Sequence, residues 1–339
     1  MTGGAATPRW VAGAATPPPE PYDADVVILM LDRFEETLAA VRSALAQDGV
    51  SLHVCVLDQG SAPSTLTRMA DALAGEDRAT LLASACNLGV AAGRNAASAF
   101  GHGRVIVGLD NDAVFGAADT VASLVAALDA EPRLAAVGCR IVAYDTGSDD
   151  RSSWGYPPAL LTCAGESFDA ITFVGAGHAI RRAAWAEAGG YDGALFFCWE
   201  EFDFCLRAIA LGWRVRYRGD IVVRHRVSGE RRVAWASDRW FYFVRNRLYI
   251  ERKLGTRWPA LLPRVLGYWM KSARHGLAAE TLRAVIAAER MSPGRRRAIP
   301  QAALSYISRN DRRLRGSLFT RLRKEVFSRL LTVASPAAE

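Results

Sequence analysis

Short apolar runs alternate with amphipathic segments through the first part of the chain. Runs rich in β-branched residues occupy positions 25–31, 52–58, 79–84, 104–110 and 134–142. They are largely apolar and only six to nine residues long, which is typical of strands buried on both faces of a parallel sheet. Between them, apolar residues recur at helical spacing. The alternation predicts an α/β fold with an open, mostly parallel sheet flanked by helices.

Polar residues collect where these apolar runs end. Asp58, Asn87, Asp110 and Asp112 all stand at or just after a predicted strand. In open α/β sheets, ligands bind outside the carboxyl ends of the strands. We therefore expect these four side chains to surround one crevice.

The triplet of Asp110, Asn111 and Asp112 follows the fourth apolar run directly. Alternation along an extended chain places the two carboxylates on the same side. Mg²⁺ and Mn²⁺ prefer oxygen ligands and commonly take one or two carboxylates together with phosphate oxygens. The triplet is a candidate metal site beside a diphosphate, although a solvated acidic turn would explain the same residues.

A second acidic cluster begins a helix predicted from residue 200 to residue 211. Glu200, Glu201 and Asp203 enter it among five aromatic side chains within 196–204. Acidic residues are favourable at a helix N-terminus, which is a sufficient structural explanation. The functional alternative is a desolvated carboxylate with a raised pKa that serves as a general base.

Two further features are ambiguous by themselves. In the segment 87–95, Gly89 permits close backbone approach and Arg94 offers a cation for phosphate, yet the glycine spacing does not fit a dinucleotide-binding fingerprint. His225 ends a later predicted strand, where a structural role competes with a metal or phosphate contact.

The charge divides the chain into an acidic front and a basic rear. Residues 1–227 carry 18 Lys and Arg against 27 Asp and Glu, whereas residues 228–339 carry 24 against 8. We therefore expect a helical basic region over 229–339, with a basic amphipathic helix near its end at 309–331. Residues 1–22 have no helical or strand pattern and are expected to form a disordered leader.

Taken in order, these motifs resemble a family 2 glycosyltransferase of the GT-A fold, particularly the bacterial rhamnosyltransferase-like members. The family's V-V-D-N-G-S strand end corresponds to VCVLDQGS (54–61), and its N-x-G-x-x-x-G-R-N segment corresponds to NLGVAAGRN (87–95). Its DXD motif corresponds to LDND (109–112), and its G-G-Y/F-D turn and acidic helix start correspond to GGYDGALFFCWEEFDFCLR (189–207). The resemblance covers about residues 25–250 and implies a catalytic domain over 23–228.

The resemblance implies an activity. The chain would transfer a sugar from a nucleotide diphosphate to an acceptor hydroxyl by a metal-assisted single displacement with inversion. We favour UDP- or dTDP-sugars as donors, and Mn²⁺ or Mg²⁺ as the metal. Glu201 stands where the family usually has Asp, so Glu200 and Asp203 remain open as alternatives for the base.

The remaining roles are also carried over from the family. Asp112 would bind the metal, with His225 as a further metal or diphosphate contact. Trp199 and Trp154 are candidates for stacking on a sugar ring. The residues expected around the nucleotide are Asp32 (where relatives often have Asn), Asp58, Asn87, Gly89, Arg94, Asp110 and Asn111.

Two other functions are consistent with parts of the sequence: a sugar-phosphate nucleotidyltransferase, and a nucleotide-sugar-binding module without turnover. The acceptor could be a glycan, a lipid-linked glycan or a small molecule. Six cysteines without a CxxC pair favour a reducing compartment, and we expect a cytoplasmic protein. The basic region suits peripheral contact with the inner face of a membrane, or a solvated or homo-oligomeric face. No nucleic-acid-binding motif accompanies its charge.

Overall fold

The computed structural model divides the chain into two compact units. It describes residues 7–226, 237–292 and 299–316. The first unit comprises Met1–Phe196 and Glu200–Arg226, and the second comprises Phe197–Trp199 and Val227–Glu339. The second unit thus includes a three-residue segment from within the expected catalytic domain, which the sequence pattern did not indicate.

The first unit is an α/β structure, as predicted, and its described residues form one ten-stranded sheet. The strands are β1 (Arg9–Gly13), β2 (Ala24–Met30), β3 (Leu52–Asp58), β4 (Ala79–Ala83), β5 (Val105–Leu109), β6 (Ala113–Phe115), β7 (Leu134–Ala143), β8 (Ser167–Ala170), β9 (Gly177–Arg181) and β10 (Arg214–His225). The helices are α1 (Phe34–Leu45), α2 (Pro63–Ala72), α3 (Gly89–Ser98), α4 (Thr120–Ala130), α5 (Arg182–Ala188) and α6 (Glu200–Ala210), with short 3₁₀ turns at Pro158–Cys163 and Gly193–Leu195.

The sheet is mixed and mostly parallel. Its order is β1-β4-β3-β2-β5-β9-β7-β10-β6, and β8 pairs with the start of β10. Strands β4, β3, β2 and β5 are parallel to one another, and β7 is parallel to β10. Because β9 runs antiparallel between β5 and β7, these six strands all point the same way. Their carboxyl ends therefore lie at one edge of the sheet.

Helices cover both faces of the sheet, because successive residues of a buried strand point to opposite sides. In β2, Val26 and Ile28 belong to the apolar cluster that contains Leu124 of α4. Val27 belongs to the opposite cluster, together with Ala97 of α3. Continuous apolar strands with a helix layer on each side are the arrangement that the sequence pattern predicted.

The prediction of a disordered leader over residues 1–22 is wrong for residues 9–13. They form β1, which pairs antiparallel with β4, with Gly13 opposite Thr80. The Thr80 hydroxyl donates to the carbonyl oxygen of Ala14 at 2.7 Å and fixes the end of this edge strand. Only Ala12 in β1 is buried, so the strand has almost no hydrophobic pattern to detect. Residues 1–6 lie outside the described part of the chain.

The second unit is helical over its described residues. Its helices are α7 (Ser237–Lys253), α8 (Trp258–Ala273), α9 (Ala278–Arg290) and α10 (Gln301–Ile307), which continues into a π-helical turn at Ser308–Arg312. Trp240 and Val244 of α7, Tyr268 of α8 and Ala284 of α9 form its buried core. In the described ranges, no helix is both long and apolar enough to cross a membrane. Residues 317–331 of the expected amphipathic helix lie outside those ranges.

Candidate active site

Two acids of the DND triplet and a histidine meet at the carboxyl edge of the sheet. Asp110 follows β5, and Asp112 stands one residue before β6. Strand β10 pairs antiparallel with β6 so that His225 lies opposite Ala113. Asp110, Asp112 and His225 each bring one potential ligand atom within 4.8 Å of the others. Asp112 and His225 were expected to bind metal, whereas Asp110, which was expected around the nucleotide, lies in the same group.

Two basic side chains hold the carboxylate of Asp112. Arg33 donates to its Oδ2 at 2.7 Å, and His225 Nε2 lies 3.2 Å from its Oδ1. Burial alone would raise the pKa of Asp112, but the hydrogen bond from His225 and the charges of His225 and Arg33 together lower it. Asp112 is therefore ionised at neutral pH.

His225 lies between two carboxylates. Its Nε2 faces Asp112, and its Nδ1 lies 3.3 Å from Oδ2 of the buried Asp150. Burial would lower the pKa of His225, but the two carboxylates outweigh it and raise the pKa to about 10. This carboxylate–histidine–carboxylate arrangement fixes the ring orientation, as an outer partner does for a metal-binding imidazole.

The sequence analysis missed Arg33 and Asp150. Arg33 follows Asp32 at the end of β2, and both have left-handed backbone conformations with φ of 53° and 55°. Consecutive non-glycine residues of this kind are strained and often mark functional sites. Asp150 lies in a loop whose polar composition hides its burial. Neither the contact of Arg33 with Asp112 nor that of Asp150 with His225 has a local signal, because 79 and 75 positions separate the partners.

Asp32 and Asp58 were expected around the nucleotide, and both accept backbone hydrogen bonds from the turn that follows β3. The carboxylate of Asp58 accepts backbone N–H bonds from Gly60 and Ser61, each at 3.2 Å. Asp32 Oδ1 accepts from the N–H of Ala62 at 2.9 Å. The structure therefore brings the two acids together around residues 60–62, where they shape the turn.

The NLG segment contacts the chain just ahead of the acidic helix. Asn87 Oδ1 accepts from Gly89 N at 2.8 Å, and Gly89 has a φ of +78°. A Cβ on Gly89 would overlap the carbonyl oxygen of Phe196, which also accepts from Val90 N at 2.6 Å. Glycine is required here for close approach of Phe196. This contact is sufficient to explain the glycine at position 89.

Arg94 is buried beneath the site, and protein groups surround its guanidinium. It donates to Asp110 at 2.7 Å and to the carbonyl of Gly175 at 2.9 Å, and lies 3.2 Å from His178 Nε2. Burial and the charge of Arg94 lower the pKa of His178 well below its usual value, so this histidine is neutral. The expectation of a cation available for phosphate is therefore corrected, because Arg94 holds Asp110 instead. His178 was not predicted.

Glu200 and Glu201 begin α6 in a desolvated position. Glu201 is partly buried, and its Oε1 packs so closely on Gly175 that any Cβ there would overlap it. Burial raises the pKa of Glu201 to about 7, although the charge of Arg94 opposes the shift. Glu200 is almost fully buried, and burial followed by the charge of Glu201 raises its pKa well above the usual value. Both carboxyl groups therefore favour the protonated form more than an exposed glutamate does.

Asp203, the third candidate base, has a structural partner. Its carboxylate accepts from Arg207 Nε at 2.8 Å, one helical turn later. Arg207 also donates to the carbonyls of Ala188 and Gly190, the latter at 2.7 Å. Asp203 thus anchors α6 to the glycine turn after α5. This pairing argues against a role for Asp203 as the base.

The two tryptophans expected at the sugar lie in different units. In the first, the Trp154 ring packs edge-on against Tyr156 and Tyr217 at 5.1 and 5.6 Å, and its N–H donates to Pro157 O. Trp154 is therefore part of an aromatic cluster. Trp199 belongs to the second unit, where its indole N–H donates to the carbonyl of Phe243 at 3.0 Å.

The backbone ahead of α6 is strained. Phe196, Cys198 and Trp199 have φ values of 59°, 70° and 73°, a region that side chains of this size rarely adopt. Such strain requires support from surrounding contacts, and it frequently accompanies functional sites. Its position immediately before Glu200 adds to the case for the acidic pair. Nothing in the aromatic sequence FFCW signals it.

The donor set fits a divalent cation. Asp110 and Asp112 offer carboxylate oxygens, and His225 offers an imidazole nitrogen; no other group of three such residues meets the same criterion in the described ranges. Carboxylates suit Mg²⁺ and Mn²⁺, and an imidazole favours the transition metal of the two. Asn111, expected near the nucleotide, instead contacts Thr37 Oγ1 at 3.3 Å.

Comparisons with known proteins agree with this architecture. Residues 25–189 match the family model of glycosyl transferase family 2. A mannosyltransferase from Pyrobaculum calidifontis in complex with GDP-Man and Mn²⁺ is 19% identical with a TM-score of 0.54, over 92% of this chain and 86% of that one. GalNAc-T7 with UDP, GalNAc and Mn²⁺ is 14% identical with a TM-score of 0.58, over 90% of this chain but 56% of the other. No match was found among curated protein sequences.

Proposed function

We propose that this chain, whose residues 25–189 form a family 2 glycosyltransferase domain of the GT-A fold, is an inverting glycosyltransferase. It transfers a sugar from a nucleotide diphosphate, with UDP- or dTDP-sugars favoured, to an acceptor hydroxyl. The observation that carries the proposal is that one domain contains two carboxyl sites whose pKa values are shifted in opposite directions. One is ionised and ligand-like, and the other has a raised pKa suited to a base.

Asp110, Asp112 and His225 would hold the divalent cation, Mn²⁺ or Mg²⁺. The bound cation would neutralise charge on the diphosphate leaving group. The two similar structures, both complexed with Mn²⁺, support this choice. Arg94 fixes Asp110 from below. Arg33, which holds Asp112, is within the same cluster and is a candidate contact for the donor phosphates.

Glu201 is the proposed base. A base works best when its pKa lies near the working pH, and burial raises the pKa of Glu201 to about 7. It accepts the proton of the acceptor hydroxyl as that oxygen attacks the anomeric carbon, opposite the leaving diphosphate. Glu200 beside it, whose pKa burial also raises, is proposed to keep its proton while Glu201 accepts one. No covalent intermediate on the protein is required.

The nucleobase of the sugar donor is proposed to lie at the turn formed by residues 60–62. Asp58 and Asp32 keep this turn in place. Each carboxylate retains acceptor capacity for the N–H groups of a nucleobase. Asn87 is exposed next to the same edge of the sheet and is retained as a nucleotide contact.

The proposal also includes an acceptor that is a glycan, a lipid-linked glycan or a small molecule. It further includes a homo-oligomeric state and a cytoplasmic location. A non-catalytic binding module would not require a carboxylate with a raised pKa beside the metal site. A nucleotidyltransferase would need a basic glycine-rich loop after β2 to hold a triphosphate. Here that position is occupied by LDRFEE (31–36), which has no glycine and has three acidic residues around its one arginine.

The test is product analysis with a panel of nucleotide sugars and Mn²⁺. Water can replace the acceptor, so slow donor hydrolysis suffices for a first assay. We expect release of a nucleoside diphosphate, and an inverted anomeric configuration in the initial product by NMR. A retained configuration would contradict single displacement. Pyrophosphate release from a nucleoside triphosphate and a sugar phosphate would establish the nucleotidyltransferase instead.

A further inference from the structure

The second unit has an apolar groove on its surface, between α8 and α9. Its volume is about 1010 Å³. Leu262, Leu266 and Trp269 line it from α8, and Leu282 and Val285 line it from α9. This groove is separate from the carboxyl sites, all of which belong to the first unit.

The side chains along the groove are large and exposed. Leu262, Leu266, Trp269 and Leu282 have 61%, 56%, 51% and 60% of their surface accessible, so they contribute little to the core of the unit. Positions 262, 266 and 269 follow helical spacing and share one face of α8. The opposite face of α8 places Tyr268 in the buried core. A soluble surface rarely exposes so many apolar side chains together, and such a patch marks an interaction site.

Positive charge surrounds this apolar face. The segment 257–290, which contains both helices, has six Arg or Lys residues and only two Glu residues. Arg257 and Arg274 are exposed at the two ends of α8, and Arg283 is exposed on α9 beside Leu282. An occupant of the groove would therefore meet both an apolar surface and several cationic side chains.

We propose that the outer face of α8 and α9 docks on an anionic phospholipid bilayer. The leucines and Trp269 enter the boundary between headgroups and acyl chains, and the arginines contact lipid phosphates. Helix α8 has 16 residues and contains Arg264 and Lys271, so it lies along the membrane surface. This inference is independent of glycosyl transfer, because lipid binding requires none of the carboxyl groups.

Charge disfavours two other occupants. A second copy of the same face would bring like charges together. The segment 317–339 carries leucines at helical spacing, but it has four Arg or Lys residues against two Glu residues. Both would add positive charge to a face that is already basic, whereas an anionic lipid surface neutralises it.

The test is flotation of the full chain with two kinds of phosphatidylcholine vesicle. One kind contains about 30% of the anionic lipid phosphatidylglycerol, and the other contains none. We expect binding to the anionic vesicles and at least about tenfold weaker binding to the neutral ones. Raising the salt concentration should weaken binding, because it screens the arginines.

The variant that removes the apolar contact is L266E/W269E, at two exposed positions. We expect affinity for anionic vesicles to fall at least about tenfold, since the variant lacks two apolar side chains that would enter the bilayer. The matched control is Trp10→Glu in the first unit, where Trp10 is 49% exposed and the substitution should leave binding unchanged. Quenching of tryptophan emission by brominated acyl chains should be reduced in Trp269→Phe, which keeps the apolar surface.

Three results would overturn the proposal. The first is that the chain binds neutral and anionic vesicles equally well, or that it binds neither kind. The second is a wild-type dimer that L266E/W269E converts to a monomer without any lipid binding, which would assign the groove to a second copy. The third is lipid binding that survives in L266E/W269E but disappears when residues 317–339 are deleted.

Discussion

The two carboxyl sites of the first unit differ in what surrounds them. At the end of β5, Asp112 lies against Arg33 and His225, and these cations lower its pKa. At the start of α6, burial raises the pKa values of Glu200 and Glu201. Carboxyl groups of almost identical intrinsic acidity thus become an ionised carboxylate at one site and a group that titrates near neutral pH at the other. The environment, more than the residue type, sets the role.

Arg94 connects the two sites and makes the difference between them possible. It forms an ion pair with Asp110 at 2.7 Å, and its charge limits how far the pKa of Glu201 rises. Without it, burial would keep Glu201 protonated to a higher pH and the pair would be a poor base. A buried arginine that cannot reach solvent thus serves both acidic sites.

The largest expected effect comes from removing the base. Glu201→Gln should lower kcat by about 100- to 10,000-fold while donor affinity changes by less than about threefold, because the amide keeps the shape but cannot accept the proton. Steady-state kinetics and calorimetric donor binding measure the two effects separately. Glu200→Gln is the matched control at the adjacent position. If that variant lost activity and Glu201→Gln did not, the base would be Glu200.

The ligand-like site should govern donor binding. Asp112→Ala should weaken nucleoside diphosphate binding about 100-fold in the presence of Mn²⁺ and leave binding without metal unchanged. Asp150→Asn, which removes the charge of the outer partner of His225, should weaken metal-dependent binding by about tenfold. Equal affinity of wild type and Asp112→Ala at saturating Mn²⁺ would remove the metal role from this site.

The pH profile should follow the raised pKa. Glu201 acts as a base only when ionised, so kcat/KM should fall about tenfold per pH unit below pH 7 and level off above it. Arg94→Gln should move the midpoint upward by about one unit, since the lost charge favoured the carboxylate. Thermal melts at each pH identify loss of folding. A wild-type midpoint near 4.5 would show that Glu201 is not desolvated.

The smallest effects concern stability, and two substitutions in the first turn of α6 should act in opposite directions. Asp203→Asn loses the charge that pairs with Arg207 and should cost about 1–2 kcal/mol, or about 4 °C in melting temperature. Glu200→Gln should raise the melting temperature at pH 8. The folded pKa of Glu200 lies above the unfolded value, so ionisation favours unfolding as pH rises past about 4.5.

The stability effect of Glu200→Gln should depend on pH. At pH 4 the Glu200→Gln advantage should vanish, because the carboxyl is protonated in both the folded and the unfolded protein. Destabilisation by Glu200→Gln at pH 8 would contradict the burial of an unpaired carboxyl. Loss of turnover in a folded Asp203→Asn protein would return Asp203 to the set of candidate bases.

The strand ends of the site were predictable from the sequence, but the partners of each side chain were not. Continuous apolar runs placed Asp58 and Asp110 at the ends of β3 and β5, where the structure has them. Hydrophobic periodicity defines such positions because burial dominates the folding of strands. His225 and the acidic pair at the start of α6 were visible as candidates, but their expected roles came from the order of the motifs.

What the sequence could not indicate depends on tertiary packing. Arg33 reaches Asp112 across 79 positions, and Asp150 reaches His225 across 75. Arg94 carries the right charge for a phosphate contact, yet its burial against Asp110 and His178 gives it another role. Gly89 was correctly identified as a site of close approach, but the approaching group is the Phe196 backbone. Pairings of this kind are set by the folded chain and leave no local pattern.

The most direct test of the account is a thermal-shift panel of the wild-type chain and Asp112→Ala with UDP, dTDP, GDP and ADP, each with and without Mn²⁺. A ligand that binds only the native state raises the melting temperature by mass action. The account predicts that at least one diphosphate stabilises the wild-type chain, that Mn²⁺ increases the shift, and that Asp112→Ala loses the increase. No shift with any nucleotide at millimolar concentration, or an Mn²⁺ effect that persists in Asp112→Ala, would contradict it.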